Sequence, residues 1–321
     1  MPIRNRAWHQ LQMVHKGAYM DQLEPTARAL IADATNRLTR AGVPSPIVDA
    51  ELLLAHVLGC SRAGVVLSRP VAEDQRRRFN DLVEMRSRRH PLQHLTGVAA
   101  FRYLELEVGP GVFVPRPETE ILAEVVIRDL RGRRQAGADL LAVVDLCAGS
   151  GALSLSIATE VSNVRMTAVE LSDDALSWLR RNVERHRDHL NAAGSQVAVV
   201  AGDIADAELP TAVDVVVSNP PYIPDDATPV DIEVAHHDPG LALYGGPDGM
   251  DVMRAVIQRA AVALKPGGLL AVEHADVQGD GSAIGPAAIM REHGGWRAIA
   301  TVRDLAGRPR VTHAYREQAQ S

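Results

Sequence analysis

The stretch Val215 to Pro224, VVVSNPPYIP, joins an apolar run to an amide side chain, two prolines and a tyrosine. Val-Val-Val reads as a buried strand, and Asn or Pro commonly ends one. This combination can also do chemistry. Asn219 precedes a proline and is biased to extended geometry, while Pro220 and Pro221 have fixed φ and no N–H. The segment therefore offers carbonyl acceptors on a stiff frame beside the Asn219 side-chain oxygen, two acceptors suited to a planar NH2 group. An amide or aryl amine is a poor nucleophile because its lone pair is delocalised. Two acceptors gripping its hydrogens favour a pyramidal nitrogen and aim the lone pair at an electrophile, and positioning of this kind supplies roughly 7–11 kcal/mol of a barrier. Tyr222 adds a ring face for the planar group and for a nearby cation.

Three other loops contain residues that could hold the electrophile. DLCAGSGAL, Asp145 to Leu153, has glycines at 149 and 151 that let the backbone bend sharply and approach a ligand. A lone Gly-x-Gly is also an ordinary tight turn, and the dinucleotide fingerprint would need its third small residue at Ser154. AVEL places Glu170 19 residues beyond Gly151, where a carboxylate can accept from both hydroxyls of a ribose. Glu170 can equally serve as the N-terminal charge of the helix beginning SDDAL. In GDI, Asp203 could accept from an adenine amine, although Gly-Asp is also common turn chemistry. Together these loops describe a nucleoside held across strand tips. There is no second glycine-rich phosphate cradle, so a ligand without phosphates fits better, and S-adenosylmethionine is such a ligand.

The elements that must position these loops are legible in the rhythm of the chain. Beyond Asp139, short apolar runs recur at LLAVVDL, VRMTAVEL, QVAVVAGD, VDVVVSNP and GGLLAVEH, most followed by a helical pattern. That alternation predicts an α/β fold whose parallel strands are buried on both faces, with ligands at their carboxyl ends. WRAIATVRDL and RVTHAYRE, separated by AGRP, predict a closing antiparallel hairpin. Upstream, about Glu24 to His90 has helical spacing throughout, with Ser45 and Pro46 as N-cap and N1 and with Gly42 and Gly59 as stops. YLELEVGPGVFVP predicts a hairpin between Arg102 and Pro115 about its Gly-Pro-Gly, then a helix from about Pro117 to Leu130 and a polar connector, RGRRQAGAD.

The expected division is a disordered extension over 1–20, with Met20 an alternative start, a helical domain over 21–95, a hairpin linker over 96–116 and a catalytic domain over 117–321. Composition narrows the class. No run approaches the roughly 18 apolar residues of a membrane span, and the opening residues lack the h-region of a secretory signal. Two cysteines, Cys60 and Cys147, cannot build a disulfide framework and suit a reducing, cytoplasmic compartment. The net charge of -6 is uneven: residues 1–105 have 15 Lys and Arg against 10 Asp and Glu, and the remainder 19 against 30. The basic excess lies mainly in Arg76 to His90, either a solvated helix face or a docking surface for an anionic partner. None of the 12 histidines falls in a metal-binding pattern, and no metal is expected.

With PLQHLTG, FVPRPETE, DLCAGSGAL, AVEL, SNPPYIP and RDLAGRPRVTHA in order from about Glu24 to Arg316, the sequence resembles the PrmC/HemK protein-(glutamine) methyltransferases. The resemblance implies a Rossmann-like class I methyltransferase sheet preceded by a small helical bundle. The implied reaction moves a methyl group from S-adenosylmethionine to the glutamine amide nitrogen in the Gly-Gly-Gln motif of bacterial class 1 release factors. It also implies that the helical domain helps grip that protein. A monomer that engages neither DNA nor membrane is expected. By matching position, Asp145, Cys147, Ala148, Gly149 and Gly151 would hold the methionine part, Glu170 the ribose, and Asp203 and Ile204 the adenine. Asn219, Pro220 and Pro221 would orient the glutamine amide with Tyr222 beside it, and Arg116, Pro117 and Thr119 would line the entrance. Cys147 and Ala148 stand where relatives commonly have Gly-Thr, and Ile204 where an aromatic is frequent. Rival readings are methylation of a ribosomal-protein glutamine, methylation of DNA adenine and a noncatalytic adaptor. DNA methylation would call for a basic target-recognition region, which the acidic catalytic half lacks.

Overall fold

The computed structural model describes residues 26–65 and 71–318, so the expectation for residues 1–20 lies outside the described residues. The chain divides into two compact units after Thr96.

In the first unit, helices span Ala27–Arg40, Pro46–Leu58, Arg62–Val65, Glu73–Ser87 and Leu92–Thr96. Their apolar faces meet in a core that includes Leu38, Leu53, Leu54, Phe79 and Val83. Thr26 caps the first helix, its Oγ1 accepting from Ala29 N, and Gly59 ends the second at φ +62°. Pro46 opens that second helix as expected, but Ser45 makes no side-chain cap. The arginine-rich stretch is partly consumed by the fold. Arg86 pairs with buried Asp49 at 2.7 Å, Arg88 with Glu84, Arg76 with Glu73, and Arg89 donates to the Gly42 carbonyl. Arg77 and Arg78 remain exposed on the helix surface.

The second unit opens with an antiparallel hairpin, β1 (Val98–Phe101) and β2 (Leu104–Glu107). Its turn is Arg102-Tyr103, not the Gly-Pro-Gly to which the alternation had pointed. The reason is local. Arg102 takes a left-handed φ of +52°, and its guanidinium is clamped by Glu160 and Glu124 while its backbone N–H donates to Glu120. The helix after the hairpin runs over Thr119–Gln135, five residues past the expected end at Leu130. Arg133 and Arg134, read as connector, hold that last turn through Asp129 and the carbonyls of Gly267, Ala138 and Asp139.

A seven-stranded sheet follows in the order β5-β4-β3-β6-β7-β9-β8. Its strands are β3 (Leu141–Leu146), β4 (Val164–Glu170), β5 (Gln196–Ala201), β6 (Val213–Ser218), β7 (Leu264–Glu273), β8 (Trp296–Arg303) and β9 (Pro309–Arg316). The first five are parallel, and β9 runs antiparallel to both of its neighbours. The inner strands are apolar on both faces because helices cover both faces. Val215, Val216 and Val217 are all fully buried, and each such side chain stabilises the fold by roughly 1.5–3 kcal/mol. The chain starts at β3 in the middle of the sheet and leaves to opposite sides, which opens a crevice at the carboxyl ends of β3, β4 and β6. Among the described residues no helix is long and apolar enough to cross a membrane.

Candidate active site

A cavity of about 690 Å³ occupies that crevice, within the range of small-molecule sites. The loop after β3 forms its floor. Asp145 is fully buried beneath the glycine turn, accepting from Ser154 Oγ at 2.6 Å, with its other oxygen unpartnered. Burial pushes its carboxyl up to about 7, against the Ser154 bond. Cys147, Ala148 and Gly149 line the cavity, whereas Asp145 and Gly151 lie behind the wall. Gly151 is required for packing: at φ +87°, a Cβ there would sit 2.6 Å from Leu179 Cδ1. Beside Gly149 (φ +57°) an added Cβ would meet no atom within 4 Å. Cys147 adopts φ +66°, a left-handed conformation natural to glycine. Burial first, then the charges of Glu170 and Asp145, push its thiol well up.

Glu170, 8% exposed, ends β4 and lines the same wall. Its Oε1 accepts from the N–H groups of Leu171 and Ser172 at 2.9 and 2.8 Å, just before the helix Asp173–Arg185, and its Oε2 accepts from Gly149 N at 2.7 Å. The carboxylate thus ties the glycine turn to the neighbouring strand end while remaining on the cavity wall. Asp203 and Ile204 line the cavity next to it, with Asp203 Oδ1 accepting from Ala205 N.

At the end of β6, Asn219, Pro221 and Tyr222 face the cavity, and Pro220 is buried behind them. Among the described residues the Pro220 carbonyl accepts no hydrogen bond, whereas the Tyr222 carbonyl is taken by Gln278 Nε2 at 2.9 Å. The segment is stiff for a further reason. The 245–249 loop lies directly against it, so that a Cβ on Gly245 would meet the Pro221 oxygen at 2.5 Å and one on Gly249 the Tyr222 oxygen at 2.4 Å. Asn219 Nδ2 donates to Thr119 Oγ1 at 3.3 Å. Arg116 and Thr119 reach the cavity, but Pro117 is exposed and outside it. Arg116 lies 5.0 Å over the Phe113 ring and is held by Asp238, whose own carboxyl is raised by burial more than Arg116 lowers it.

The sequence reading missed Glu273 and Arg310, which also line the cavity. Glu273 is 2% exposed and accepts from the Tyr222 hydroxyl at 3.4 Å. Burial raises its carboxyl to about 7, and burial with Glu273 nearby pushes the Tyr222 phenol up. A signal was present, since β4 and β7 both end in Ala-Val-Glu at the same edge of the sheet.

Six carboxylates and two guanidiniums line the cavity. Such a lining repels phosphates and suits a cation. With open space beside Gly149 and carboxylates at two successive strand tips, the residues present fit S-adenosylmethionine, whose sulfonium and ammonium are positive and whose ribose and adenine offer donors. Among the described residues no group of three metal-ligating side chains occurs.

A parallel sheet of this order, closed by an antiparallel pair and holding an acid-lined crevice, defines a Rossmann-like methyltransferase. Residues 29–97 match the PrmC N-terminal domain family and residues 108–236 the methyltransferase small domain family. The chain is 47% identical to a release factor glutamine methyltransferase of Streptomyces coelicolor, covering 89% of this chain and 96% of that one. It is 44% identical to the protein of the same name from Mycolicibacterium smegmatis, covering 90% and 97%. A solved methyltransferase from Pyrococcus furiosus aligns at 18% identity and a TM-score of 0.45, covering 77% of this chain and 100% of that one. The chain belongs to the release factor glutamine methyltransferase family.

Proposed function

We propose that this protein transfers a methyl group from S-adenosylmethionine to a glutamine side-chain amide nitrogen in class 1 peptide chain release factors, within their Gly-Gly-Gln motif. The observation that carries the reading is that Asn219 and Tyr222 open onto the same cavity as Gly149, Glu170 and Asp203. An amide-gripping motif and a nucleoside-type wall therefore share one space.

S-adenosylmethionine, when bound, supplies the electrophilic methyl. Gly149 and its neighbours would accommodate the methionine part, Glu170 the ribose and Asp203 the adenine. Asn219 Oδ1, at the cavity, would accept from one hydrogen of the glutamine NH2 and hold its lone pair toward the methyl, and the carbonyl of the buried Pro220, which accepts no hydrogen bond among the described residues, would take the second hydrogen once the amide is seated. Tyr222 would pack against the planar amide. A proton leaves the nitrogen after transfer, when it is strongly acidic, so no strong general base is needed. Exposed Arg77 and Arg78 of the helical unit would suit an acidic patch on the protein substrate.

The test is peptide mass spectrometry on a purified release factor incubated with this protein and S-adenosylmethionine, beside a factor carrying Gly-Gly-Ala. One added methyl on the Gly-Gly-Gln peptide, absent from the altered factor, is the expected result. No methyl on the intact factor, with cofactor binding verified by calorimetry, would overturn the substrate assignment.

A further inference from the structure

Prolines stiffen the Asn-Pro-Pro-Tyr segment, but they do not anchor it. The parallel ladder between β6 and β7 ends with Ser218 beside Val272, and beyond it the two chains run on as residues 219–223 and 273–278. Tyr222 joins them again at both of its polar ends. Its hydroxyl donates to Glu273 Oε1 at 3.4 Å, and its carbonyl accepts from Gln278 Nε2 at 2.9 Å. Gln278 is 4% exposed, sits on the short 3-10 turn Asp276–Gln278 and does not line the cavity. Its amide can face only one way. Oε1 accepts from Ala275 N at 3.0 Å, and a backbone N–H only donates; Nε2 meets a carbonyl, which only accepts. The turn is fixed in its turn by close packing, since a Cβ on Gly285 would overlap the Gln278 carbonyl oxygen.

We propose that Gln278 is a positioning residue for methyl transfer. By occupying the Tyr222 carbonyl it pins the far end of the Asn-Pro-Pro-Tyr segment to the chain leaving β7, steadies the Tyr222 ring at the cavity and sets the aim of Asn219. It also withdraws the Tyr222 carbonyl from competition for the hydrogens of the substrate amide. The proposal rests on the function proposed above. It divides the cavity by strand: Gly149, Glu170 and Asp203 follow β3, β4 and β5, whereas Gln278 acts on the segment after β6 from the segment after β7. Loss of Gln278 is therefore felt in turnover and not in cofactor affinity.

Two variants test this by activity. Gln278→Leu removes both side-chain bonds with little change in bulk, and Gln278→Glu keeps the shape but turns an acceptor oxygen toward the Tyr222 carbonyl. In Gln278→Leu, kcat should fall by about 10- to 100-fold, the cost of a displaced reacting group, while KM for the release factor and calorimetric S-adenosylmethionine affinity stay near those of the parent. Gln278→Glu should be equally slow at alkaline pH. Protonation gives the introduced carboxyl a donor for the Tyr222 carbonyl and leaves its other oxygen for Ala275 N. The ratio of variant to parent kcat should therefore rise as pH falls from about 9 to about 6, the raised range of a buried carboxyl. Taking the ratio removes titrations that both proteins share, those of Tyr222 after β6, Glu273 and His274 at the end of β7, Asp276 in the turn and Arg310 on β9. Parent-like kcat in Gln278→Leu, cofactor affinity falling in step with kcat, or a ratio that does not change with pH would each overturn the proposal.

A readout without turnover separates this proposal from the substrate assignment. Ile223 N donates to the Leu243 carbonyl and Gly245 N to the Ile223 carbonyl, each at 2.9 Å, so both amides report on the segment that Gln278 pins. Hydrogen exchange at these two positions should quicken by about tenfold in Gln278→Leu, while the amides of β3 and β4 keep their parent rates. If exchange quickens there and the parent methylates no release factor, the substrate reading fails and the hold of Gln278 on the segment stands. If exchange does not change, the proposal fails whatever the activity.

Discussion

Asn182→Ala removes a side chain that does three jobs at once. Asn182 is fully buried; its Oδ1 accepts from Glu107 N at 2.7 Å, and its Nδ2 donates to the carbonyls of Glu107 and Ser150, each at 2.9 Å. One amide thereby ties the helix Asp173–Arg185 to β2 and to the glycine turn after β3. Alanine leaves three backbone groups unmatched. A buried polar group without a partner costs roughly 1–3 kcal/mol. Ser150 is 3% exposed and would bear that cost in full, whereas the half-buried Glu107 pair can recover part of it from water. The sum is about 3 kcal/mol, to be read as a fall in stability under urea denaturation. Because Ser150 also lines the cavity, S-adenosylmethionine should bind more weakly by calorimetry, by about tenfold if loosening the turn costs about 1.4 kcal/mol of binding. A stability loss below about 1 kcal/mol together with unchanged cofactor affinity would refute the reasoning, for it would mean that the turn does not depend on this amide.

Asn219→Ala should lower turnover by about 100-fold or more, the scale of a lost preorganised polar contact, with calorimetric cofactor affinity nearly intact; parent-like turnover would remove the assignment. Glu170→Ala should weaken cofactor binding and also lower the melting temperature, because Gly149, Leu171 and Ser172 lose their acceptor; an unchanged titration would sink the ribose assignment. Asp145→Asn should reveal a pH-dependent stability difference. The folded carboxyl is raised from 3.8 to about 7, so the folded state holds the proton more tightly than the unfolded one. The contribution of Asp145 is therefore favourable below about pH 4 and is lost as pH rises through about 7. The variant escapes that loss, so its stability relative to the parent should increase by up to about 4 kcal/mol between pH 4 and pH 8; a constant difference across that range would contradict the assignment.

The catalytic fold was legible because parallel strands buried on both faces announce themselves as apolar runs, and their tips follow directly. Gly149, Glu170, Asp203, Asn219 and Tyr222 were found that way and meet at one cavity. Position along the chain could not tell which neighbours turn inward. Asp145, Gly151 and Pro220 sit one layer behind the wall, because side chains alternate along a strand and a turn buries its own pivots. Glu273 escaped because AVEH was read only as the end of a strand, although AVEL had been read as a ligand site. The hairpin was misplaced because Gly-Pro-Gly is a strong local turn signal. The actual turn depends on carboxylates of Glu120, Glu124 and Glu160, contacts between distant parts of the chain that no local pattern contains.

Cys147 is a soft nucleophile in the floor of a chamber built to hold an alkylating agent, a few residues from where the reactive methyl must sit. As a thiolate it would compete with the substrate and inactivate its own enzyme by forming a thioether. Desolvation and the carboxylates of Glu170 and Asp145 keep the proton on sulfur, and only the thiolate is strongly nucleophilic. The acidic lining that suits a cationic methyl donor therefore also passivates the one thiol exposed to it. Cys60 is exposed and Cys147 is not, so a thiol-directed reagent should mark Cys60 before Cys147 in the folded protein.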